Sequence, residues 1–166
     1  MTIEEGKQLL RDNWEKGIEC PCCKQWVQLY GRTMGWSAGL ILIEMYKRTK
    51  PDEYIYLQEI LKDLPVKVAH SGGHVTISHW WGLIEIKPGL REDGSSRVGW
   101  WKLTDKGRRF VLNYETVPKH AMVFNNRLFG LQGERINIED TLRKKFDYRE
   151  LMGEHYKNKQ QQGSLL

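Results

Sequence analysis

The sequence predicts an α+β fold, one globular unit with appendages, and three observations between residues 80 and 113 carry that prediction. Trp80-Trp81-Gly82-Leu83-Ile84-Glu85-Ile86 mixes aromatic and aliphatic residues and stops at Pro88-Gly89, where proline removes an amide donor and glycine permits a turn. A polar, turn-rich run from Arg91 to Ser96 leads into a second β-rich run, Val98 to Leu103, so the pair reads as a hairpin with a long charged tip. Thr104 then offers a side-chain oxygen to the free amides of a new helix reaching about Asn113, and Asp105 suits the positive end of its dipole.

Taken in order, the chain opens with a capping box, Thr2 and Glu5, ahead of a stripe of Ile3, Leu10 and Trp14 that ends at Gly17, so residues 2–17 read as a helix. Glu19-Cys20-Pro21-Cys22-Cys23-Lys24-Gln25-Trp26 follows. The two-residue gap between Cys20 and Cys23 lets both thiolates face one metal ion in a knuckle turn. Structural zinc wants four ligands, and the rest would have to come from Cys22, from His70, His74 or His79, or from another subunit. Reduced cysteines in a turn beside Trp26 are the competing reading, so no cofactor is required and zinc is the alternative. Val27 to Tyr30 is extended. Ser37 is the expected cap of a helix in which Ala38, Ile41, Leu42, Met45 and Tyr46 keep the spacing of a buried face. Lys50-Pro51-Asp52 turns, Tyr54 to Tyr56 forms a short strand, and Leu57, Ile60, Leu61 and Leu64 line a second helix that stops before Pro65. A third helix is expected from about Gly73 to Trp81.

Beyond the hairpin and its helix, Thr116-Val117-Pro118 opens an appendage. Ala121 to Leu131 reads as a second hairpin, because the Asn125-Asn126 pair tolerates positive φ, and it suggests a small sheet added at one edge. Asn137 caps a last helix whose Ile138, Leu142 and Phe146 share a stripe that continues loosely into Tyr148, Leu151 and Met152. The run after Gly153 is polar and reads as a disordered tail. The expected division is therefore 1–30, N-terminal helix and CPCC knuckle; 31–113, the central domain; 114–152, hairpin and helix appendage; and 153–166, tail.

Charge bears on partners. The chain of 166 residues carries a net charge of +5, and 40% hydrophobic residues suffice for a core. Lys87, Arg91, Arg97, Lys102, Lys106, Arg108 and Arg109 stand against Glu92, Asp93 and Asp105, so residues 87–109 hold nearly all of the surplus. A clustered positive surplus favours a polyanion. No run is long enough to span a bilayer and the N-terminus is charged throughout, which predicts no membrane association and a cytoplasmic protein; three clustered cysteines argue against a disulfide framework.

Gly82-Leu83-Ile84 and Leu103-Thr104-Asp105-Lys106-Gly107 resemble the winged helix-turn-helix domain of MarR-type regulators, in which the recognition helix runs into a "GLI" strand and the second wing strand ends in "LT..G". The resemblance covers about half the chain and implies a winged helix-turn-helix core with an N-terminal helix and Cys knuckle and a C-terminal β-hairpin plus helix. It places Val75, Ser78 and Trp81 inward and Thr76, Ile77 and Trp80 outward. From Cys20 to Met152, the CPxC knuckle, the "NN" hairpin and "KFDYRELM" also look like a group of small uncharacterised phage and prophage proteins. Members of that group often carry a more polar third helix, so Ile77 and Trp80 are a departure.

The expected function is double-stranded DNA binding by a phage or mobile-element transcriptional regulator. Lys87, Arg91, Arg97, Lys102, Lys106, Arg108 and Arg109 would meet phosphates, with His74 and Thr76 near the major groove. Base edges are usually read by Arg, Lys, Asn or Gln, and Val68 to Ile86 contains none of them. The alternative is a phage-encoded inhibitor or adaptor, such as an anti-defence or anti-CRISPR protein, docking on a host protein complex through Ile77, Trp80, Trp100 and Trp101. Ile77 and Trp80 packed inside the protein is the third reading. No phosphate-cradling GxxxxGK[ST], GxSxG elbow or HExxH occurs, so no enzyme is expected. A homodimer is compatible with the appendages, but no heptad run demands one.

Overall fold

The computed structural model describes residues 1–65, 76–89 and 99–156, with the side chain of Thr76 also outside the description. The fold is α+β, and the strands pair antiparallel wherever their register is defined. Two compact units share the chain, one made of residues 1–33 and 118–134, the other of 34–117 and 135–166. The expected appendage 114–152 is thus shared between them: its hairpin joins the N-terminal segment and its helices join the central one.

In the first unit, α1 (Ile3–Asn13) starts at the expected capping box, with the Glu5 amide donating to Thr2 Oγ1 at 3.2 Å and the Thr2 amide donating to the Glu5 carboxylate at 2.6 Å. A small hairpin follows, β1 (Ile18–Glu19) with β2 (Trp26–Val27), Ile18 opposite Val27. β3 (Tyr30–Arg32) pairs with β7 (Val117–Phe124), which neighbours β8 (Arg127–Ile136). The β7–β8 turn is the expected Asn125-Asn126, at φ 49° and 59°. Together these strands form a sheet of their own, because Tyr30 to Arg32 supplies the third strand.

The second unit is built around α2 (Trp36–Arg48). Every residue from Ser37 to Ile43 is buried, as is Met45, so the helix lies in the interior over its first two turns, and its charged residues Glu44, Lys47 and Arg48 fall near its C-terminal end. Its N-cap is Gly35 rather than the expected Ser37, which lies buried inside the first turn; packing sets this helix start, and no side chain caps it. α3 (Leu57–Leu61), α4 (Asp105–Val111), α5 (Ile138–Leu142), α6 (Tyr148–Met152) and β6 (Trp100–Leu103) all pack on α2. A Cβ at Gly39 would run into Thr141 Oγ1, so the missing side chain lets α5 come close.

The C-terminal stripe is broken where one helix was expected. Arg143 and Lys144 adopt positive φ, ending α5, and Asp147 caps the new helix α6 by accepting from the Glu150 amide at 2.9 Å. The Tyr148 hydroxyl donates to the Val111 carbonyl at 2.6 Å inside the core, which holds α6 in place. Asn137 caps α5 as the sequence predicts. Of the third expected helix, Thr76–Trp81 is a 3-10 helix, while residues 73–75 lie outside the described residues. The hairpin tip Arg91 to Ser96 and the tail beyond Tyr156 also lie outside them. Among the described residues no helix is long and apolar enough to cross a membrane.

Candidate nucleic-acid interface

β6 is the central strand of a three-stranded sheet, between β4 (Ile55–Tyr56) and β5 (Ile84–Ile86). Ile84 faces Leu103, Glu85 faces Lys102 and Ile86 faces Trp101, while Ile55 and Tyr56 face Trp101 and Trp100 from the other side. Alternation along β6 then divides the residues between two faces. Trp101 and Leu103 go inward with Ile84, and Trp100 and Lys102 go outward. The expected antiparallel pairing of the two strands is therefore present.

Thr104 joins sheet to helix. Its hydroxyl donates to the Gly82 carbonyl at 2.5 Å and accepts from the Gly107 amide at 3.0 Å, so one side chain caps α4 and ties it to the start of β5. A Cβ at Gly107 would strike the Leu83 carbonyl, which explains the glycine three residues after the threonine: helix backbone and strand backbone are in contact there.

The predicted cations divide into two sets. The Lys102 ammonium lies 2.5 Å from Asp52 and 3.3 Å from Glu85 and sits 5.0 Å from the Tyr54 ring centroid; the hydrogen bond to Asp52 raises its pKa above the usual lysine range. Arg108 stacks on Tyr46 at 4.7 Å and donates to the Thr49 carbonyl at 3.4 Å. Arg109 donates to Glu115 at 2.8 Å, a bond that lowers the carboxyl's pKa. These three are committed to intramolecular partners. Lys87 and Lys106 form no ion pair with any described residue. Lys87 instead lies over Trp100 at 5.1 Å and Tyr54 at 5.8 Å. His74, Arg91 and Arg97 lie outside the described residues, as does the side chain of Thr76.

Among the expected protein-docking residues, Trp101 is buried at 8% exposure, because its register turns it inward between Ile55 and Ile86; it is a core residue and not part of a free surface. Trp100 is exposed and packs at 5.4 Å, tilted 30°, against Tyr56. Ile77 and Trp80 are half-buried rather than fully outward, and Trp80 lies 5.2 Å from the exposed His79 ring. Ser78 and Trp81 are buried as expected, Ser78 donating to Met34 Sδ at 3.7 Å. The sequence reading named Trp100 but missed Tyr54, which lies with it beneath Lys87, and Tyr56, on which Trp100 packs. The alternation of β6 held part of the signal, and the pairing with β4 supplied the rest.

The cysteine turn lies between β1 and β2. The Cys20 amide donates to the Gln25 carbonyl at 2.7 Å and the Lys24 amide to the Cys20 carbonyl at 3.0 Å, with Lys24 at φ 64°. The backbone N–H groups of Cys23 and then Cys22 hydrogen-bond to Cys20 Sγ and hold its pKa below the ordinary thiol value. Cys20 is half-buried, Cys22 and Cys23 are exposed, and all three are free thiols. Among the described residues no group of three or more His, Cys, Asp or Glu is placed to hold a metal ion. No family model matches this chain, and no curated protein and no solved structure matches it either.

Proposed function

We propose that the protein binds double-stranded DNA through a winged helix-turn-helix core and acts as a phage or mobile-element transcriptional regulator. The observation that carries this reading is the antiparallel β5–β6 pair closed by the Thr104-capped helix α4, in a segment, residues 87–109, that holds nearly all of the chain's positive surplus. α2, α3 and the 3-10 helix precede that pair in the order a winged helix requires, and β4 edges the sheet. Lys102, Arg108 and Arg109 are held by internal partners, so phosphate contacts fall to Lys87, Lys106, Arg91 and Arg97. Four neutralised phosphates correspond to a slope of log affinity against log salt of about −3.6. Anisotropy titrations of the protein into a labelled duplex across a salt series measure it; a flat salt response, or a Lys87→Glu/Lys106→Glu variant that binds as tightly as the parent, defeats the reading.

The exposed Trp100 beside Tyr56, together with a 3-10 helix that offers no Arg, Lys, Asn or Gln, favours a second reading. In it the same sheet docks on a host protein complex, as an inhibitor or adaptor of the anti-defence or anti-CRISPR kind. Large exposed aromatics are the usual anchors of such contacts. Trp100→Ala then abolishes partner capture, whereas charge reversal at Lys87 and Lys106 changes mainly the rate of association.

A further inference from the structure

The unit formed by residues 1–33 and 118–134 has a thin interior: Val27, Leu29, Ala121 and Val123 are its buried hydrophobic residues. Domains this small commonly depend on a disulfide, a metal or a partner copy, since apolar burial alone barely offsets chain entropy. This unit also holds the chain's three cysteines, on a β-hairpin turn that the Cys20–Gln25 and Lys24–Cys20 backbone hydrogen bonds fix. An open depression of about 560 Å³ lies beside them, and Cys20 and Cys23 line it while Cys22 does not. Of the three cysteines, the two that line the depression are three residues apart in the chain.

Two thiolates are half of a tetrahedral structural zinc site, and among the described residues no third donor joins them. Trp26, which lines the same depression, is 58% exposed, a large apolar side chain available for cover by another surface. We propose that Cys20 and Cys23 form half of a tetrathiolate site for a zinc-class ion, completed by the same pair from a second copy of this chain. On binding, four thiols release four protons and the divalent ion is left in a site of net charge −2; no electron is transferred. The closed coordination shell assigns the ion a structural role, joining two copies at the thin unit.

Cobalt(II) titrated into the reduced full-length protein tests this directly, with molar mass followed by light scattering on the same samples. The expected result is one ion per two chains, the charge-transfer and visible bands of a tetrahedral tetrathiolate, displacement by zinc, and a monomer-to-dimer shift that a chelator reverses. Cys20→Ser and Cys23→Ser lose the bands and the dimer, while Cys22→Ser keeps both. Circular dichroism of each variant checks its fold, and the chelator arm on the unmodified chain stands even where a variant does not fold. Absence of tight cobalt binding, one ion per monomeric chain, a dimer indifferent to chelator, or loss of the bands with Cys22→Ser each overturns the proposal.

Discussion

The two units of this chain are stabilised differently. Residues 34–117 and 135–156 bury Ile41, Leu42, Ile43, Met45, Ile60, Trp81, Leu83, Phe110, Ile138, Leu142 and Met152 to below 2% exposure, around one helix enclosed by the others. Residues 1–33 and 118–134 bury no side chain of that size so completely, and carry exposed Trp26, Tyr30, Leu128 and Phe129. What orders them is a capping box, an Asn-Asn turn, short strand ladders and the edge contact of Trp14 with Phe129 at 5.0 Å. Apolar burial contributes in proportion to area, so the first arrangement is robust to the loss of a polar contact and sensitive to the loss of a large side chain. For the second the reverse holds.

Four substitutions probe that contrast. Phe110→Ala removes a fully buried ring and is expected to cost about 3–5 kcal/mol, while Val123→Ala in the thin unit costs roughly 1.5 kcal/mol; equal losses in urea denaturation would contradict the difference drawn here. Gly107→Ala comes next, at about 3 kcal/mol, because the methyl meets the Leu83 carbonyl and backbone cannot step aside as a side chain can. Thr104→Ala removes a cap and the link to the Gly82 carbonyl together, and thermal unfolding should register about 1–2 kcal/mol.

The smallest effect is pH-dependent. Burial raises the pKa of Tyr148 above its ordinary value of about 10, and its hydroxyl is bonded to the Val111 carbonyl. Folding keeps the phenol neutral, so its contribution is complete below about pH 10 and is lost as pH rises toward the folded-state value. Tyr148→Phe should cost about 1 kcal/mol at neutral pH and flatten the alkaline limb of a stability-against-pH curve. A variant whose alkaline limb matched the parent's would move that sensitivity elsewhere.

How far the sequence could be read follows from the same physics. The caps at Thr2, Thr104 and Asn137, and the Asn125-Asn126 turn, are local decisions among residues at most three apart, and each lies where the chain predicts it. The start of α2 does not, because Ser37 is drawn into the interior and packing outweighs its capping preference. The break at Arg143 and Lys144 has no glycine or proline to announce it; Asp147 and the Tyr148 hydroxyl stabilise the second helix only once the core exists. In the candidate interface, the positions of the cations were readable and their partners were not. Asp52, fifty residues before Lys102, and Tyr46, before Arg108, reach them only through the fold.

The chain crosses between the two units at residues 33–34, 117–118 and 134–135, and this has a consequence for biosynthesis. A ribosome delivers Tyr30 to Arg32 early, but their hydrogen-bonding partners Ala121 to Val123 emerge only after residues 34–117 of the central unit have been made. At about 5–20 residues per second the first strand waits on the order of ten seconds with an edge unpaired. Cutting the gene at either end of the central unit would make that wait permanent, so fragments of this protein should be recovered as aggregates where the whole chain is recovered folded.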